Sequence, residues 1–95
     1  MKEPIIESSG NVFADLGFSP EESTLLQLRA DLMASLRQAI EVRGWTQAHA
    51  AEVLGIGQPR VSDLIRGKWE KFSLDMLITL AVRVGLHPRV ELAHA

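Results

Sequence analysis

Residues 46–67 read TQAHAAEVLGIGQPRVSDLIRG, and the punctuation of this stretch decides the fold. Thr46 is a good helix N-cap, because its hydroxyl can accept an otherwise unpaired backbone N–H. Gly44 and Gly55 are the residue type that closes helices in the left-handed conformation. Pro59 suits the first turn of a second helix, where its missing N–H has no intrahelical partner to lose. Two helices of about two turns each result. Isolated helices under ~12–15 residues are marginal in water, so both must pack, and their closeness in sequence says they pack on each other. Ala51 is expected on the face turned to the second helix, where only a short side chain lets two backbones approach. Val61 and Leu64 are expected to point into the angle between the helices. A small residue, a glycine, a β-branched residue and a leucine at these offsets mark a helix-turn-helix. The outward face of the second helix then carries Gln58, Arg60, Asp63 and Arg66, donors and acceptors suited to base edges and phosphates.

Upstream, Ser19-Pro20-Glu21-Glu22 is a helix start. Ser19 caps, Pro20 takes the first helical position, Glu22 completes a capping box, and both acids favour the positive end of the helix dipole. Leu25, Leu28, Leu32, Leu36, Ala39 and Ile40 recur at three- and four-residue steps, which predicts one apolar stripe on a helix running to about Arg43. Before it, NVFADLGF (11–18) is too short for an independent helix but apolar enough to dock on the core through Val12, Phe13, Leu16 and Phe18. Residues 1–10 mix charge, Pro4, Ser8, Ser9 and Gly10, and read as a flexible arm. The remaining residues, 11–95, read as one domain.

Downstream, residues 68–72 (KWEKF) read as a loop with Phe72 and part of Trp69 tucked onto the core. Trp45 is likewise expected at the core edge. Ser73 caps a last helix whose buried stripe is Leu74, Leu77, Ile78, Ala81 and Val84, and Gly85 and Pro88 stop it. Arg89-Val90-Glu91-Leu92 alternates polar and apolar, the pattern of a short strand. The same strand of a second copy, antiparallel across a twofold axis, is its expected partner.

At 95 residues the chain makes one domain, small enough that dimerisation is favoured. It has no cysteine, which excludes disulfides and cysteine-based zinc sites. The apolar runs are too short to span a membrane, and MKEPIIESSG lacks a signal-peptide core; a cytoplasmic location is expected. Net charge is −2, with six acids against two bases in residues 1–31 but seven bases against four acids in residues 43–89. The basic half can supply phosphate contacts. Their small number predicts moderate, salt-sensitive affinity and favours binding as a dimer.

Each polar residue of the stretch has two readings, a contact with DNA or a solvated face. Gln47 opens the first short helix, where its amide can bond a phosphate oxygen and steady Gln58. Gln58 suits adenine, and Arg60 and Arg66 suit guanine or phosphate. Asp63 can accept from a cytosine amino group or repel a phosphate. Lys68 can reach the DNA backbone. Pro59 offers an apolar edge to a thymine methyl beside its first-turn role, and Ser62 bonds a phosphate or faces water. His49, His87 and His94 have no metal-ligand spacing, Gly55-Ile56-Gly57 lacks the strand and third glycine of a nucleotide site, and no nucleophile–base set is built. No enzyme activity, metal or cofactor is expected.

The pattern Thr46-Gln47, Ala51, Gly55, Gln58, Val61, Leu64, Gly67 resembles the lambda-repressor-like (XRE, Cro/CI-type) helix-turn-helix. Over roughly residues 11–92 the chain is similar to HigA-type antitoxins and the stand-alone XRE regulators grouped with them. The resemblance implies an all-α, five-helix DNA-binding domain with a short C-terminal β-strand. It implies that Gln47 and Gln58 touch operator DNA. A homodimer on a palindromic double-stranded operator, repressing transcription, and a small RelE-like toxin encoded beside it follow from the same likeness. Asp63 departs from many relatives, which carry Arg, Ser or Ala there, so base preference does not carry over. Two alternatives stay open: a stand-alone regulator without a toxin, and an interaction module that has lost DNA binding.

Overall fold

The structure is a computed structural model that describes residues 5–6 and 11–93. Five α-helices and a two-stranded ribbon follow in the order β1 (Ile5–Ile6), α1 (Val12–Asp15), α2 (Pro20–Arg43), α3 (Gln47–Leu54), α4 (Gln58–Ile65), α5 (Leu74–Arg83) and β2 (Arg89–Val90), with one 3-10 turn at Trp69–Lys71 between α4 and α5. The fold is therefore the expected all-α, five-helix architecture.

The helix starts follow the caps. Ser19, Thr46 and Ser73 each accept the backbone N–H three residues on, from Glu22, His49 and Met76. The Ser19 hydroxyl also donates to the Glu22 carboxylate at 2.9 Å, so Glu22 returns to the serine side chain rather than to its backbone N–H. Gly44 and Gly55 close α2 and α3 at φ 64° and 70°, a conformation in which any other residue is strained.

The long helix α2 is the spine. Leu28, Leu32, Met33, Leu36, Ala39 and Ile40 are buried on it, against Leu77, Leu80 and Ala81 of α5. Ala50 and Leu54 of α3, Val61 and Leu64 of α4, and Phe72 complete the core. Leu25, expected in the buried stripe, is instead 50% exposed. The stripe continues past the point where α5 stops covering it, so helical periodicity alone overshoots. On α5, Ile78, also expected in the buried stripe, is exposed as well. At the elbow the fully buried alanine is Ala50, whereas Ala51 is only half-buried.

Docking of residues 11–18 is partial. Phe13 packs edge-on to Trp69 and Phe18, with ring centroids 5.7 and 6.1 Å away. Asn11 caps α1 and its amide donates to the Ser23 carbonyl at 2.8 Å. Val12, Leu16 and Phe18 remain exposed. Trp45 and Trp69 sit at the core edge, as expected.

The largest departure concerns β2. It pairs within the chain, in parallel, with Ile5 opposite Arg89 and Ile6 opposite Val90, a partner the sequence did not lead one to expect. An intramolecular partner satisfies N–H and C=O groups along one edge of β2 without the translational and rotational entropy lost on association. Apart from Ile5 and Ile6, the arm expected over 1–10 lies outside the described residues, as does His94.

Three arginines tie the elements together through carbonyls. Arg29 of α2 donates to the carbonyls of Trp69 (2.9 Å) and Phe72 (3.0 Å) and lies over the Trp69 ring. Arg43 donates to Ala39 and Val84. Arg83 donates to Leu54 at 2.6 Å, taking up one of the carbonyls left open at the end of α3.

Candidate nucleic-acid interface

Helix α4 is held by Val61 and Leu64, both fully buried. At 100° per residue, this places Pro59 and Arg66 opposite the core, with Gln58, Ser62 and Asp63 flanking them and Arg60 beside the buried stripe. Gln58, Pro59 and Arg66 are exposed, and Arg60, Ser62 and Asp63 are half-buried. Gln47, the first residue of α3, is exposed. No hydrogen bond joins it to Gln58 among the described residues, so the two glutamine side chains stand separately.

Arg60 is less free than the sequence implied. Its guanidinium lies 4.6 Å from the centroid of the Phe72 ring, and Phe72 is buried. The cation–π contact orients the side chain along the edge of α4. Arg66 caps the end of α4, with its side chain in solvent and no hydrogen bond to the rest of the described chain.

Asp63 is engaged inside the chain. Its two carboxylate oxygens face the ammonium groups of Lys68 and Lys71 at 3.8 and 3.7 Å, and its side chain is 19% exposed. Lys71 is not among the residues that the sequence points to as a site; the repeated lysine in KWEK is the signal it offers. Arg37 of α2 was also missed. Its guanidinium lies against Gly67, where an added Cβ would meet Nη1 at 3.2 Å. Gly67 itself has φ 74°, so this position keeps glycine for conformation as well as for space.

His49 is exposed and packs edge-on to Trp45. Among the described residues, no three His, Cys, Asp or Glu side chains come together as a metal site would require. Nor is any helix there long and apolar enough to cross a membrane.

Two short helices meeting at a left-handed glycine, the second presenting an open polar face, define the molecule as a helix-turn-helix domain, the class that lays its second helix in a DNA groove. The chain belongs to a family described as helix-turn-helix domains, whose pattern matches residues 12–92. A search of curated proteins finds no match.

Proposed function

We propose that the protein is a sequence-specific DNA-binding repressor. The observation that carries this reading is the row Gln58, Pro59, Ser62 and Arg66. These residues stand on a helix whose other side is fully buried, so they meet solvent from a fixed backbone. Gln58 offers a paired donor and acceptor for adenine, and Arg66 a fork for guanine or phosphate. Gln47, at the start of α3, contributes a phosphate contact that sets register. Two copies engage half-sites about one helical turn (~34 Å) apart on a palindromic operator. A dimer compensates for the few phosphate contacts one copy can make. Binding and occlusion need no metal, cofactor or catalytic group, and they act in the compartment that holds the DNA, the cytoplasm.

The finer reading is that of an antitoxin that represses its own operon, with a small RelE-like toxin as partner. A specific observation favours a protein partner. Val12, Leu16, Phe18 and Leu25 are exposed along α1, the turn after it and the first turns of α2, beside Asp15, Glu21 and Glu22. Large exposed apolar side chains mark interaction surfaces, and the acids select a basic partner. This end lies on different elements from the α4 face, so both partners can be held.

The test is fluorescence anisotropy with the duplex upstream of the protein's own gene. Arg66→Ala weakens binding by about 1–3 kcal/mol without altering the melting temperature. Arg60→Ala weakens it comparably and also costs stability, because the contact with Phe72 is lost. Wild-type affinity in the Arg66→Ala protein would show that α4 is not the reading helix.

A further inference from the structure

Asp63 is the acid on the outward half of α4, yet its position is not that of a base-reading side chain. It is mostly covered, and each carboxylate oxygen faces a different lysine, Oδ1 toward Lys68 and Oδ2 toward Lys71. At 3.7–3.8 Å these are Coulomb contacts, longer than hydrogen bonds. The lysine side chains stay 39% and 49% exposed, so their ammonium groups keep an open side. The Asp63 carbonyl also accepts the Lys68 backbone N–H at 3.0 Å.

The segment carrying the lysines is fixed in turn. Arg29 holds the carbonyls of Trp69 and Phe72, and the Phe72 ring is sunk in the core. Lys68 and Lys71 therefore project from an anchored turn beside the end of α4, with Arg66 close by in sequence.

We infer that Asp63 acts on DNA through Lys68 and Lys71, holding their ammonium groups beside α4 and cancelling half their charge, rather than by reading a base. The inference rests on the DNA-binding reading above. Lysine–phosphate contacts raise affinity for any duplex alike. A carboxylate fixed between two lysines weakens that attraction for every sequence and leaves discrimination to the row on α4. Asp63 is thus a positioning residue that sets how tightly the protein holds non-matching DNA.

The experiment compares wild type, Asp63→Asn, Lys68→Gln/Lys71→Gln and the triple variant. The probes are a duplex enriched by the wild-type protein from a random pool, its single-base variants and a scrambled duplex, each titrated with salt. Thermal melts establish that each variant is folded. Asp63→Asn is expected to tighten binding to all the duplexes by the same factor, roughly 3–10-fold at ~0.1 M salt, and to steepen the slope of log affinity against log salt by about one. In the Lys68→Gln/Lys71→Gln background the Asn substitution has no such effect. A change confined to one base position, or an undiminished effect without the lysines, overturns the inference while leaving the DNA-binding reading intact. Absence of binding by the wild-type chain overturns the reading and the inference together.

Discussion

Replacing Phe72 with alanine lowers the unfolding free energy by about 3–5 kcal/mol. A chain of 95 residues has roughly 5–14 kcal/mol in all, so the variant sits close to the threshold of folding. Phe72 is the largest of the fully buried side chains. Its truncation opens a cavity that neighbouring groups cannot fill, because its backbone is pinned by Arg29 and preceded by a rigid turn. The ring is also the surface on which Arg60 lies. Phe72→Leu separates the two roles: it keeps most of the apolar volume and loses the aromatic face. Urea denaturation followed by circular dichroism should show a large fall in midpoint for Phe72→Ala with an unchanged slope. The leucine variant should show a small one. DNA affinity should fall in the leucine variant despite its near-normal stability.

Arg29→Ala is expected to cost about 2–4 kcal/mol, combining two hydrogen bonds from a charged donor with a cation–π contact. The guanidinium spans the carbonyls of Trp69 and Phe72, at 2.9 and 3.0 Å. The Trp69 carbonyl retains the Phe72 N–H after the change, but the Phe72 carbonyl loses its one side-chain donor among the described residues. Lysine cannot reproduce the planar fork, so Arg29→Lys should recover less than half of the loss. Hydrogen exchange would place the damage at residues 68–73 before it appears elsewhere. Exchange unchanged in that segment would mean that the turn holds itself.

These two residues also mark the limit of what the sequence disclosed. The buried position of Phe72 was legible, because an aromatic between a helix stop and a serine cap has little else to do. The caps at Ser19, Thr46 and Ser73, the glycine closures and the inward pair Val61 and Leu64 were legible for the same reason: each obeys a local rule. Arg29 was not. A cation on a helix carries no mark that distinguishes a solvated charge from one aimed at carbonyls forty residues away. Asp63 and its lysines escaped because five- and eight-residue separations cross the end of α4, outside the three- and four-residue spacing of helical ion pairs. The pairing of Ile5 and Ile6 with β2 joins distant parts of the chain through two residues, too few to show a period. Leu25 misled in the opposite way: periodicity gives the direction a side chain points, not how far its neighbours extend. In the candidate interface, the helix and its buried side were legible, whereas the internal engagement of Arg60 and Asp63 was not.

The arginines aimed at carbonyls have one more consequence. The half-buried guanidiniums of Arg29 and Arg43, set on fixed dipoles, are sheltered from mobile ions, whereas Arg66 and Lys71 are open to them and Lys68 is open in part. Ionic strength should therefore act on the protein's two tasks unequally. Between ~0.05 and ~0.5 M salt the grip on nucleic acid should fall steeply while the melting point barely moves. In buffer of high salt the protein would stay intact and simply let go.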